Sequence, residues 1–150
     1  MAIVNSKEKK LSIPEVMTGA LGDMKKAGQL PDYPFEAILL ATVQEGSMPN
    51  TTVEQIGNSV FITHYNEDKT EVAMRALNVD TARNYLDNSL EYIRNLDKSG
   101  VDRMTSDFND KRILQLFKSI ANREEFAHWG MKVYNTEGGG MRAFVVMPKE

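Results

Sequence analysis

The side chains of this sequence supply acid–base chemistry and little else. There are two histidines, His64 and His128, and no cysteine. Without cysteine there is no disulfide scaffold, Cys-ligated zinc, iron–sulfur cluster or thiol nucleophile. Two histidines cannot build a His-rich centre, and no carboxylates are spaced to complete one, so no metal is expected. Glu71, opening one strand-like run, and His64, closing the run before it, carry side chains able to accept a proton. Each has a plainer reading: a solvated Glu after the polar turn Asn66-Glu67-Asp68-Lys69, and a hydrogen-bonded surface His at a strand end. His128 beside Trp129 could stack on a ligand, but a packed aromatic corner explains it more simply. No nucleophile elbow, Walker loop, dinucleotide-binding glycine fingerprint or His-Glu-x-x-His occurs, so hydrolase, NTPase, dehydrogenase and zinc-protease readings have no motif support.

The elements that must position these groups follow from periodicity. Ser12 and Glu15 have capping-box spacing, and Met17, Leu21 and Met24 continue as one apolar face until Gly28. After Pro31 and Pro34 a second helix is expected over residues 35–44, capped by Asp32 and ended by Gly46. Phe35, Ile38, Leu39 and Val43 make it apolar enough to be largely buried. Residues 51–56 and 60–65 are rich in β-branched and aromatic types, and Gly57-Asn58 between them suits a two-residue hairpin turn. A third strand runs from Val72 to Val79. Asp80 then caps a helix with Leu86, Leu90, Ile93 and Leu96 on one stripe, ending at Gly100. Residues 101–108 are a poor strand by composition, yet a strand parallel to its predecessor is what a crossover supplies. Asp110 opens a last helix through Ile113, Phe117 and Ile120. Runs from Met131 and from Met141 flank Gly138-Gly139-Gly140 as a closing hairpin, which fits that triplet better than a phosphate loop does.

Composition agrees with one domain. The chain has 150 residues, with 18 Lys+Arg against 21 Asp+Glu and a formal net charge of −3. A chain of this size buries roughly 70% of the surface its unfolded form exposes, enough to fold without a staple. No segment has the apolar length of a signal peptide core or a membrane span, and the mild acidity gives nucleic acid no electrostatic pull. Of nine methionines, seven (Met17, Met24, Met74, Met104, Met131, Met141 and Met147) scatter through the apolar stripes, as adaptable packing does. An N-terminal arm over residues 1–11, carrying lysines around Glu8, precedes one domain over residues 12–150. The order ααβββαβαββ predicts an α+β fold: a mixed, mainly antiparallel sheet with helices on its faces.

This order, over residues 12–147, resembles the GNAT family of N-acetyltransferases. Two local segments add to the resemblance. Ala76-Leu77-Asn78-Val79-Asp80 is similar to the family's fourth strand, which ends at Val-Asp before the cofactor helix. Phe126-Ala127-His128-Trp129-Gly130-Met131 is similar to the segment the family writes as Tyr, three residues, then Gly-Phe. The resemblance implies acetyl-CoA as cofactor, with Leu77, Val79, Arg83 and Asn109 in its binding site, and Glu71 or His64 as the base that deprotonates an amine. For Asn109 the competing reading is an N-cap, shared with Asp110.

Two departures weigh against that chemistry. Where the family places glycines that let backbone N–H groups approach the pyrophosphate, this chain has Thr81-Ala82-Arg83-Asn84-Tyr85-Leu86-Asp87. Where the family has a tyrosine to protonate the departing thiolate, it has Phe126, leaving the role to Tyr134 or a water. The expectation is a non-catalytic protein on a degenerate acetyltransferase-like scaffold, working through protein–protein contacts and without a cofactor. The layout is similar to that of virion components of short-tailed bacteriophages. That similarity implies other virion proteins or a second copy as partners, and a place in the host cytoplasm or inside the virion. The alternative is an acyl-CoA-dependent N-acetyltransferase with an atypical phosphate site around residues 77–83. A third reading is a small-molecule or nucleotide-binding regulator using the same cleft.

Overall fold

The computed structural model describes residues 11–108 and 110–149. The lysine-bearing stretch before Leu11, and Asn109, lie outside the described residues. The elements are α1 (Ile13–Lys26), α2 (Phe35–Gly46), β1 (Thr51–Ile56), β2 (Ser59–Tyr65), β3 (Glu71–Asn78), α3 (Ala82–Lys98), β4 (Arg103–Phe108), α4 (Lys111–Ala121), β5 (Gly130–Asn135) and β6 (Met141–Val146). A single 3₁₀ turn, Glu124–Phe126, links α4 to β5.

The six strands lie in the order β1-β2-β3-β4-β6-β5, and every neighbouring pair is antiparallel except β3 and β4. That parallel pair is the crossover expected of residues 101–108, although Val101 and Asp102 precede the strand. Alternation along β2 separates two cores. Val60 and Ile62, with Leu77, pack against Val16, Met17, Ala20 and Leu21 of α1. Phe61, Val72 and Met104 face the other way, against Leu90, Ile93 and Leu96 of α3 and Phe117 and Ile120 of α4. The sheet is thus covered on both faces at its centre.

Local chemistry sets the element ends. The Ser12 hydroxyl accepts from the Glu15 N–H and the Glu15 carboxylate accepts from the Ser12 N–H, closing the expected capping box. Leu11 is pinned to the first hairpin: its N–H donates to Asn58 Oδ1, and its carbonyl accepts from Gln55 Nε2. Gly57 takes φ +57° at the first turn position, and no positive φ occurs at Asn58, as in a type II′ hairpin. Asp110 caps α4 through the Arg112 N–H.

Three expectations are corrected. α3 is capped by Thr81, whose hydroxyl accepts from the Asn84 N–H, because the Asp80 carboxylate is already committed to Asn58 and Asn88. α2 begins after Pro34 with no side-chain cap, so Asp32 does not serve it. Nor is α2 largely buried. Phe35, Ile38 and Leu39 reach the core beside α1, and only Thr42 is fully buried. Leu40 and Val43 face outward, 57% and 49% exposed.

Candidate functional site

The parallel pairing of β3 with β4 stops early. Its rungs run from Glu71↔Arg103 to Met74↔Ser106, although β3 continues to Asn78 and β4 to Phe108. Beyond Met74, β4 stays with β6 to the rung Phe108↔Met141, and the two parallel strands part. Between them opens a cleft of about 830 Å³, floored by Met74, Leu86, Ile113, Leu116 and Phe117, with α3 and α4 as its walls.

Strand alternation decides which backbone groups face this gap. The Val79 N–H donates to the Asn58 carbonyl, and the Asn66 N–H to the Glu71 carbonyl. With the β2–β3 register, this directs the peptide groups of Arg75, Leu77 and Val79 toward β2. Those of Ala76 and Asn78 then face the side where β4 has left. By the same alternation from the Met147 N–H to the Asp102 carbonyl, Asp107 faces the gap from the other strand.

The mouth is rich in carboxylates. Asp23, Asp80, Asp107 and Asp110 line it, with only Arg75 and Arg112 as cations. Both arginines are engaged, Arg75 with Glu45 at 3.0 Å and Arg112 with Asp110 at 2.7 Å. The Arg112 guanidinium and N–H hold the Asp110 carboxyl below its ordinary range. Arg142 does the same for Asp107 through two hydrogen bonds. Tyr85, in the first turn of α3, also lines the cleft. Burial pushes its phenol well above the ordinary tyrosine range, and Asp110 adds to the shift.

At this turn, where coenzyme A would place its pyrophosphate, the chain carries side chains in place of glycines. Residues 78–99 contain no glycine. The Asn84 N–H is occupied by Thr81 Oγ1, the Tyr85 N–H by the Thr81 carbonyl, and the nearest lining charges are carboxylates. The helix N-terminus keeps its dipole but lacks the glycines that let a phosphate come close to the backbone.

Of the residues singled out in the sequence, Leu77 and Val79 line the cleft while also packing on α1. Arg83 is exposed in the first turn of α3, outside the cleft lining. Asn109 lies outside the described residues. Glu71 sits at the closed end of β3, paired with Arg103 at 3.8 Å. His64 has both ring nitrogens engaged, Nδ1 with Thr51 Oγ1 at 2.9 Å and Nε2 with Glu45 at 3.2 Å. Neither Glu71 nor His64 reaches the cleft. Phe126 is buried and stacks on Trp129 at 4.2 Å; His128 meets Trp129 edge-on at 6.3 Å. Tyr134 is 49% exposed on β5, opposite Arg142. Sequence reading missed Ala76, Asn78 and Tyr85. Strand parity fixed from the Gly57-Asn58 turn could have found the first two.

Among the described residues no cluster of His, Asp and Glu could hold a metal ion, and no helix is long and apolar enough to cross a membrane. No protein-family model matches the chain, and no curated protein does. Solved structures do. Aminoglycoside 6'-acetyltransferase type Ii superposes with a TM-score of 0.60 at 10% identity, over 92% of this chain and 92% of that one. The ribosomal-protein-S18-alanine N-acetyltransferase from Escherichia coli gives 0.51 at 14% identity, over 93% and 90%. The fold is GNAT-like: α+β, with a mixed, mostly antiparallel six-stranded sheet.

Proposed function

We propose that this GNAT-like chain is a non-catalytic protein that acts through protein–protein contacts. The observation that carries the reading is the first turn of α3. That turn carries no glycine and its Asn84 N–H is taken by the Thr81 hydroxyl, beside a cleft mouth lined by Asp80, Asp107 and Asp110. An anionic cofactor would meet like charge there in a confined space, where repulsion costs more than in open water. Phe126 supports the same reading, since a buried phenyl ring has no proton to give. The similarity of layout to phage virion components extends the proposal to a bacteriophage virion or assembly component.

A second reading, an acyl-CoA-dependent N-acetyltransferase with an atypical phosphate site, draws on one observation. β3 and β4 do part, and Ala76 and Asn78 offer peptide groups along the gap. Titration with acetyl-CoA by calorimetry separates the two. Absence of binding at millimolar cofactor is expected. Micromolar binding abolished by Arg83→Glu would overturn the non-catalytic reading. The virion role is read separately, by probing purified phage particles for the chain.

A further inference from the structure

α2 is apolar on more sides than its own fold uses. Phe35, Ile38, Leu39 and Thr42 face the body of the protein, whereas Ala37, Leu40, Ala41 and Val43 are exposed on the remaining arc. Tyr33 just before the helix is 66% exposed, and Met48 just after it 55%. Among the described residues these two, with Leu40 and Val43, are four of five exposed large hydrophobics, all within one short stretch. A helix that is apolar nearly all round belongs in an interior, so its outer arc lacks a covering surface.

Charge says what would cover it. Residues 27–68 contain no lysine or arginine, but Asp32, Glu36, Glu45, Glu54, Glu67 and Asp68 are all acidic. Glu45 is turned inward to His64 and Arg75. Asp32 and Glu36 border the apolar arc, whereas Glu54, cross-strand to Phe61, points to the opposite face of the sheet. From neighbouring elements, Lys25 of α1 approaches but is occupied over the Phe35 ring at 5.8 Å. A two-fold contact of α2 with α2 of a second copy would oppose two surfaces of the same sign, which is destabilising. An anionic membrane would be repelled for the same reason.

We infer that the outer face of α2 docks a basic amphipathic helix of a partner protein, its apolar stripe on Leu40 and Val43 and its lysines or arginines against Asp32 and Glu36. This rests on the protein-contact reading and names the class of partner. The mode is a helix laid against an apolar surface, with rim charges setting orientation and on-rate.

The probe is a synthetic 18-residue Leu/Lys amphipathic peptide, compared with a Leu/Glu peptide of the same pattern, titrated into the ¹⁵N-labelled full chain. Expected are amide shifts centred on Leu40, Val43 and Met48, affinity that falls with salt, and no binding of the Leu/Glu peptide. The exposed double variant Leu40→Ser/Val43→Ser should keep the native circular dichroism and lose at least tenfold in affinity. Each of the following overturns the inference: no Leu/Lys binding, equal binding of both peptides, or shifts centred elsewhere. A dimer seen by light scattering and abolished by Val43→Ser would do so too, giving the face to a second copy. A gain in peptide affinity on deleting residues 1–10 would likewise assign it to the chain's own N-terminal segment. Failure here leaves the non-catalytic reading standing, because acetyl-CoA binding reports on the cleft and not on α2.

Discussion

Met74 and Ser106 form the last rung between β3 and β4, and the cleft between these two strands opens from there. At the next position Asp107 is cross-strand to Arg142 on β6 and takes two hydrogen bonds from its guanidinium. β4 is thereby tied to β6 just where it leaves β3. This pair ties a pH response to the cleft edge. Arg142 holds the Asp107 carboxyl low, so its contribution to stability is present above the unfolded value, about 3.9, and is lost as pH falls through the folded value. Arg142→Ala should return Asp107 toward the ordinary carboxylate range, read by ¹³C carboxyl NMR titration. An unmoved midpoint would show that the pair is not formed in solution.

Tyr92 is the largest fully buried side chain, stacked on Phe61 at 4.3 Å, with its hydroxyl bonded to that of Thr63 at 2.5 Å. Tyr92→Phe leaves the buried Thr63 hydroxyl without that partner and should cost about 1–3 kcal/mol in urea denaturation. Adding Thr63→Val should recover much of that loss, because neither hydroxyl then remains to be satisfied. Burial pushes the Tyr92 phenol upward, so its contribution is complete below the unfolded tyrosine value, about 10, and is lost as pH rises beyond it. The Tyr92→Phe protein should therefore lose less stability than the native chain between neutral and strongly alkaline pH.

Gly57 and Asp80 lock the first hairpin to the start of α3. The Asp80 carboxylate accepts from the Asn58 N–H at 2.9 Å and from Asn88 Nδ2 at 2.9 Å, directly beneath the turn. A Cβ on Gly57 would stand 2.8 Å from Asn88 Nδ2, at a backbone φ of +57° that other residues adopt at a cost of about 1–2 kcal/mol. Gly57→Ala should lower stability by at least that much. Asp80→Asn, which keeps the shape and removes the charge, should cost about 1–2 kcal/mol, since hydrogen bonds to charged groups are the stronger ones. Thermal denaturation of both variants checks these values, and a neutral Gly57→Ala would mean that the turn is not seated against Asn88.

The elements were legible because their signals are local. Ser12 with Glu15, the Gly57-Asn58 pair and the stripe Leu86, Leu90, Ile93 each act within a few residues, and no tertiary contact overrides them. Asp80 failed as a cap because its carboxylate is taken by Asn58, a partner 22 residues away that no local pattern reveals. α2 misled for a related reason. Its composition announces burial, but a sequence does not say whether the covering surface belongs to the same chain. In the site, the apolar run at Leu77 and Val79 marked the right strand, yet peptide parity turns those two N–H groups toward β2 and leaves Ala76 and Asn78 facing the cleft. Parity depends on register, and register is set by the partner strand.

α2 is held at its C-terminal end by an approach that only glycine permits. A Cβ on Gly46 would lie 2.7 Å from Val53 Cγ2 on β1, closer than packed carbons tolerate, and a β-branched side chain on a strand has little freedom to turn away. Alanine has the better helix propensity, by up to about 1 kcal/mol in a helix interior and less at an end. Overpacking typically costs about 1–3 kcal/mol, so the clash should win, and Gly46→Ala should destabilise the protein in urea denaturation. The diagnostic is the Val53→Ala background, which removes the obstructing methyl groups. There the same Gly46→Ala change should cost nothing or become stabilising, giving a coupling between the two sites that independent positions would not show. Equal effects in both backgrounds would mean that α2 does not rest on β1. The Glu45 bridges to His64 and Arg75, one residue before Gly46, would then have to hold that end of the helix alone.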